Sequence, residues 1–187
     1  MNEATQRLFF ALWPDASTAD ALATLAQQVA AESGGRPTAP GNVHVTLAFL
    51  GDQPRRIARE LSAAAARISA PAFDLVLDRV DAWRKSAIAW AGVQSVPPPL
   101  VELHQALTRS LVVSSLEPDE RPFAVHVTLA RRILAVVRRP LAPSLVWHVT
   151  AFALVASELD ATGARYRVLS SWPLAQRPHD AREVGQK

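Results

Sequence analysis

The chain has 187 residues, 49% of them apolar and 20% charged, a balance that excludes general disorder and gives one domain a sizeable core. It contains no cysteine, which excludes disulfides and thiolate metal sites and suits a reducing compartment. The formal charge is only +3, yet residues 121–157 hold Arg121, Arg131, Arg132, Arg138 and Arg139 and no acid, a stretch that would attract a phosphate or a short nucleic acid unless it is simply a solvated surface.

The elements follow in chain order. Residues Arg7 to Trp13 read as a buried strand. Its apolar run is short, meets Pro14 and Asp15 and shows no cleavage pattern, so no secretory leader is expected. No uncharged apolar stretch approaches the roughly 18 residues of a membrane span, and a cytoplasmic location is expected. Asp15 can cap a helix carrying Leu22, Leu25 and Val29 on one stripe. A Gly and Pro loop, Gly34 to Pro40, leads to a strand at Val43 to Leu50, which Gly51 ends. A helix from about Pro54 to Ser69 presents Ile57, Leu61, Ala65 and Ile68 at helical spacing.

Phe73, Leu75 and Leu77 alternate with Asp74, Val76 and Asp78, giving a half-buried strand that pairs with Ala87 to Val93. Pro97 to Pro99 open a helix bearing Leu100, Leu103, Leu107 and Leu111. Further strands are expected at Ala124 to Arg131, Val146 to Ala156 and Arg165 to Ser171, with a mobile tail over residues 173–187. Strands that outnumber helices and come in runs predict an α+β fold with antiparallel sheets.

The pentapeptide His-Val-Thr-Leu-Ala occurs twice, at 44–48 and 126–130, 82 residues apart (126 − 44). Along a strand, His44 and Thr46 share one face while Val43, Val45, Leu47 and Phe49 take the other; His126 and Thr128 repeat the arrangement. A single strand histidine commonly just satisfies a nearby backbone group. Its recurrence with the same threonine neighbour points to a cleft shared by two similar halves, each giving one strand, with helices outside. Two imidazoles flanking one phosphodiester can act as general acid and base near neutral pH, with the threonine hydroxyls holding phosphate oxygens and no metal required.

Other histidines fit less well. His148-Val149-Thr150 also satisfies His-x-Thr, but Ala151 replaces the leucine and the spacing suits a neighbouring strand of the same half. His104 reads as a helix boundary residue, and His179-Asp180 has no companion ligands in the tail.

On these motifs the chain resembles the 2H phosphoesterases, and within them the bacterial RNA 2′,3′-cyclic phosphodiesterases once called 2′-5′ RNA ligases. The resemblance covers residues 7 to 172. It rests on Arg7 to Leu12, Asn42 to Gly51 and Arg121 to Arg131, with Trp83, Trp90, Phe152, Ser157, Tyr166 and Trp172 at fitting places. It implies a two-lobed duplicated fold forming one domain over residues 1–172, with the motifs facing across a central cleft. It also implies cofactor-free hydrolysis of a 2′,3′-cyclic phosphate, on RNA or a nucleotide, to a 2′-phosphomonoester, with no obligate protein partner. Carried over by position, His44 would be the proton donor and His126 the proton acceptor, while Thr46, Thr128 and Arg131 would bind the phosphate. Arg131 lies an odd number of residues from His126, so an ideal strand aims it away; a strand end, a bulge or its own length would bring it back. Phe9 and Phe49 are either core residues or rings on which a base stacks. Two other readings share the cleft: a non-catalytic RNA-end or nucleotide-binding module, and a 2H enzyme acting on 2′-5′-linked or other cyclic nucleotides.

Overall fold

Strand β1 (Thr5–Leu12) leads into helix α1 (Ala16–Ser33), and Asp15 caps that helix by accepting the Thr18 backbone N–H at 2.8 Å. The helix ends at Gly34, whose φ of +67° is the left-handed conformation that a residue without Cβ adopts freely. There follow β2 (Arg36–Pro37), β3 (Val45–Pro54), α2 (Ile57–Ala65), β4 (Phe73–Trp83), β5 (Ile88–Gly92) and α3 (Pro98–Val113). The last four strands are β6 (His126–Arg131), β7 (Arg139–Val149), β8 (Ala151–Asp160) and β9 (Gly163–Pro173). This computed structural model describes residues 4–114, 116, 122–160 and 163–176.

Among the described residues the strands form one antiparallel sheet in the order β7-β4-β5-β6-β3-β1-β8-β9, with β2 added on β6. It is built of two halves, β3-β1-β8-β9 and β6-β5-β4-β7, joined at the centre where Val45 of β3 pairs with Val127 of β6. The segments β1-α1-β3 and β5-α3-β6 repeat one another as strand, helix and antiparallel motif strand. Helix α1 packs over β5 and β6, while α3 touches β3, so each repeat's helix reaches the other half's sheet. The halves are thereby interlocked, and α2 rests on β3 and β9.

The main core lies between the helices and one face of the sheet. Leu22, Val29, Leu103 and Leu107 meet strand residues such as Leu8, Leu12, Leu47 and Leu129, all buried. Burial of each such side chain contributes about 1.5–3 kcal/mol. The α+β class and the duplicated halves with outer helices agree with the sequence reading. No described helix is long and apolar enough to cross a membrane.

Four boundaries differ from expectation. Strand β3 does not stop at Gly51: that residue takes φ +70° at a register shift, and Asp52, Gln53 and Pro54 continue the pairing with β1. Since Pro54 stays in the ladder, α2 starts only at Ile57, and it ends at Ala65 in tight turns in which Arg67 and Ile68 bond back to Ala64 and Ala65. The apolar run Val146 to Ala156 is two strands rather than one, because β7 pairs with β4 in one half and β8 with β1 in the other, so the chain changes halves at Thr150. The first residues of the expected tail are packed: Leu174 is buried, and Ala175 exchanges hydrogen bonds with Ala70 and Ala72. Residues 177–187 of that expectation lie outside the described residues.

Gly51 provides a test of the strand continuation. A Cβ built there meets nothing within 4 Å, so Gly51→Ala carries only the conformational penalty of positive φ. Urea unfolding should show a loss of about 1–2 kcal/mol; an unchanged midpoint would mean that the turn relaxes.

Candidate active site

His44 immediately precedes β3, His126 begins β6, and the Val45–Val127 pair sits between them. Antiparallel register about that pair sets His44 opposite Thr128 and Thr46 opposite His126, a local two-fold arrangement in which each imidazole faces the other strand's hydroxyl. All four side chains line one cleft of about 660 Å³, a size suited to the end of a nucleotide chain. The same backbone contact orients both rings. Nδ1–H of His44 donates to the Asn42 carbonyl at 2.7 Å, and Nδ1–H of His126 donates to the Ala124 carbonyl at 2.7 Å, in each case two residues back. This fixes the tautomer and leaves Nε2 as the unprotonated nitrogen. In His44, Nε2 accepts from the Thr46 hydroxyl at 3.2 Å.

Both motif strands carry a bulge at the fourth position of the repeat. In β3 the partners of Phe10 and Ala11 are Ala48 and Thr46, skipping Leu47; in β6 the partners of Ala89 and Trp90 are Ala130 and Thr128, skipping Leu129. One extra residue inverts the alternation beyond it. Arg131 is therefore returned to the histidine face, where it lines the cleft. The same inversion moves Phe49, expected on the apolar face, to the cleft, where its side chain is 40% exposed. Phe49 and Arg131 are equivalent positions of the two repeats, 82 residues apart like the histidines (131 − 49).

Aromatic rings back each imidazole. Trp13 stacks on His44 with centroids 5.7 Å apart and planes 13° apart, Phe9 lies at 5.0 Å, and Tyr166 presents an edge at 5.1 Å. Phe9 is 3% exposed and so supports His44 instead of offering a face to a base. Across the cleft, Trp83 meets His126 edge-on at 4.5 Å and leans on Trp90 at 5.4 Å. Gly92 lies beneath the Trp90 ring, and a Cβ there would come within 2.4 Å of it.

Burial sets the proton affinities. Enclosure among the rings pushes His44 down to about 4, with the charges of His126 and Arg131 acting in the same direction and the Asn42 carbonyl opposing them. His126 is also lowered, first by burial and then by Arg131, against the Ala124 carbonyl. In the free protein both rings are mainly neutral at pH 7. An anion between them would reverse that tendency.

Arg7, Arg36, Arg131 and Arg132 line the cleft, and no described carboxylate does. The basic stretch supplies only two of these; Arg138 and Arg139 instead pair with Asp81 and Glu32, and Arg121 is outside the described residues. Arg36 reaches the cleft because β2 pairs with the end of β6, a long-range pairing that no local pattern announces. Trp13 escapes sequence reasoning for a similar reason, since its stacking on His44 depends on the meeting of β1 and β3. His148 lies away from the cleft: its Nδ1 contacts Asp74 at 2.6 Å on the outer β4–β7 pair. No group of three or more described His, Asp or Glu residues is placed to hold a metal ion.

The lowered His44 links protonation to folding. Its unfolded value is 6.5 and its folded value about 4, so the unfolded chain binds the proton better and stability falls as pH drops from 6.5 to 4. Comparison of wild type with His44→Phe by urea unfolding across that range should show that the variant lacks on the order of 2–3 kcal/mol of this loss. Parallel pH curves for the two proteins would contradict the buried neutral state.

A family model described as LigT-like phosphoesterase matches residues 12–90, a span that holds the first motif and not the second. Whole-chain likeness supplies the rest. The chain is 35% identical over 173 residues to the RNA 2′,3′-cyclic phosphodiesterase of Escherichia coli K12, covering 91% of this chain and 98% of that protein. It is 29% identical to the enzyme of the same name from Thermus thermophilus, covering 96% and 95%. The crystal structure of E. coli LigT complexed with 3′-AMP superposes with a TM-score of 0.82 at 35% identity, over 92% of this chain and 100% of that one. Likeness over nearly the full length, in sequence and in fold, makes this chain a member of the LigT-like phosphoesterases, the 2H phosphoesterase family.

Proposed function

We propose that the protein hydrolyses the 2′,3′-cyclic phosphate of an RNA end or a nucleotide to a 2′-phosphomonoester by two-histidine acid–base catalysis. The observation that carries this reading is that two imidazoles, each left with an unprotonated Nε2 by an Nδ1–H···O=C bond, share one cleft with opposed threonines. Its two halves then act as one catalytic domain, because each supplies one imidazole. The cysteine-free composition suits a cytoplasmic site of action.

In this mechanism neutral His126 takes a proton from the attacking water as its oxygen bonds to phosphorus. The bond from phosphorus to O3′ breaks, and protonated His44 delivers its proton to that leaving oxygen. Hydroxyls of Thr46 and Thr128 and the Arg131 guanidinium hold the non-bridging oxygens, where charge-assisted bonds are strongest. His44 acquires its proton together with the substrate, since a phosphodiester anion offsets the cost of a buried imidazolium. No step is assigned to a cofactor.

Incubation with nucleoside 2′,3′-cyclic phosphates and cyclic-phosphate-ended RNA, with chelator present, should yield the 2′-monoester. A 3′-monoester would exchange the oxygen on which acid and base act, and binding without turnover would identify an RNA-end binding module. His44→Ala and His126→Ala should each lose roughly 10²–10⁴ in kcat while remaining folded, whereas His148→Ala stays near wild type. Equal losses in all three would reject the pair. Arg131→Ala should raise KM and lower kcat together, because the guanidinium contacts phosphate in both ground and transition states.

The pH dependence follows from the proton positions. The active free form needs His44 protonated and His126 neutral, so with His44 at about 4 the value of kcat/KM should fall steadily from pH 6.5 to 8. The kcat profile, set in the substrate complex, should hold to higher pH. A kcat/KM that rises over that interval would exclude His44 as the donor.

A further inference from the structure

Positions 42 and 124 are equivalent in the two repeats, each two residues ahead of its histidine and 82 apart (124 − 42). Both backbone carbonyls accept Nδ1–H from that histidine, a task that makes no demand on the side chain. The second repeat accordingly has Ala124, whereas the first has an amide with a partner of its own. Nδ2 of Asn42 donates to the Ala164 carbonyl at 2.8 Å, 122 residues further along the chain. Asn42 is itself fixed by a tight turn, Pro40–Asn42, in which its backbone N–H donates to the Ala39 carbonyl at 2.8 Å. Ala164 lies near the start of β9, beside the β8–β9 turn, and β9 is the outermost strand of its half among the described residues. The far part of β9 is anchored to the body: the Ser170 hydroxyl meets that of Ser62 on α2 at 3.1 Å, and Trp172 packs against Phe10 and Phe152 with centroids 6.1 and 5.2 Å away. The near part carries Tyr166, two residues beyond Ala164 and so on the same face. Tyr166 lies edge-on to His44, to Phe9 at 5.1 Å and to Trp13 at 6.4 Å. Of these three rings around His44, Phe9 belongs to β1 and Trp13 follows it directly, so Tyr166 alone comes from the hairpin.

We propose that Asn42 is a positioning residue with two separate tasks: its backbone orients His44, and its side chain pins the β8–β9 hairpin so that Tyr166 closes the aromatic cage around that ring. Only the kinetic consequence of this proposal rests on the reading of His44 as proton donor. An edge hairpin opens locally more readily than the strands inside a sheet, and each opening would lift Tyr166 away and admit water to His44. One amide–carbonyl bond biases such an opening roughly two- to tenfold toward the closed form. Because the closed form disfavours the imidazolium, losing that bias raises the proton affinity of His44 by no more than the same factor. The charged and titratable groups that face the ring stay as they are. They are His126 and Arg131 from β6 and Tyr166 from β9, with Arg7, Arg36 and Arg132 along the same cleft. Asn42 carries no charge, so a neutral replacement changes the exposure of His44 without changing this set.

The test is an NMR titration of the His44 and His126 rings, without substrate, in wild type, Asn42→Ala and Asn42→Leu. The first variant copies the second repeat, and the second keeps the branched shape of asparagine while removing its donor. In both, the His44 midpoint should rise from about 4 by roughly 0.3 to 1 pH unit, the logarithm of the lost bias, while His126 stays in place. Hydrogen exchange across residues 163–168 should quicken roughly two- to tenfold. With a nucleoside 2′,3′-cyclic phosphate, kcat should fall by a factor in about the same range and KM should change little. An unmoved His44 midpoint in the folded variants overturns the proposal, as does an equal movement of both histidines, which would mark general loosening. A raised KM with His44 unmoved overturns it too, by placing the Asn42 amide against the substrate. Wild type that turns over no cyclic phosphate while the His44 midpoint still rises in the variants would refute the phosphodiesterase reading and uphold the clamp.

Discussion

The pairing of Val45 with Val127 is the contact on which this molecule depends. It is the seam between the two halves of the sheet, and both residues are fully buried. Because the pairing is antiparallel and falls between the histidine and threonine of each repeat, it produces local two-fold symmetry with no further device. Beyond the seam the motif strands take different partners, β1 on one side and β5 on the other, which leaves a cleft between the halves. The interlocked helices supply the burial that such a short seam lacks, since α1 and α3 each lie against the opposite half.

On this symmetric frame the site is asymmetric. The repeated bulge returns the fifth residue after each histidine to the cleft, but one repeat places Phe49 there and the other Arg131. The duplicated cleft thus carries an aromatic ring at one of two equivalent positions and a cation at the other. The two imidazoles differ in their enclosure: His44 is surrounded by Trp13, Phe9 and Tyr166, whereas Trp83 meets His126 edge-on, and the charge of Arg131 acts on both.

Those enclosures carry a cost to folding at acid pH. Rings packed around His44 exclude water and depress its proton affinity, so the cleft presents two neutral bases among arginines near pH 7. In the proposed reaction a phosphodiester with an accompanying proton supplies the negative charge and the proton that such a site lacks. Stability is given up at acid pH because the buried ring resists protonation.

Much of this was legible in the chain itself. The repeated pentapeptide singled out His44, Thr46, His126 and Thr128 as residues of a shared cleft, because a polar pair recurring in two otherwise apolar strands has no packing explanation. Asp15, the leucine stripes of α1 and α3 and the alternation at Phe73 to Leu77 identified their elements, because caps and periodicity are local properties. What tertiary structure decided was everything that depends on a partner strand. The side of β3 on which Phe49 lies was set by a bulge opposite β1, the break at Thr150 by a change of sheet half, and the place of Arg36 by pairing with β6. Side-chain alternation can be read from one strand alone, but register belongs to two, and one inserted residue inverts all that follows it.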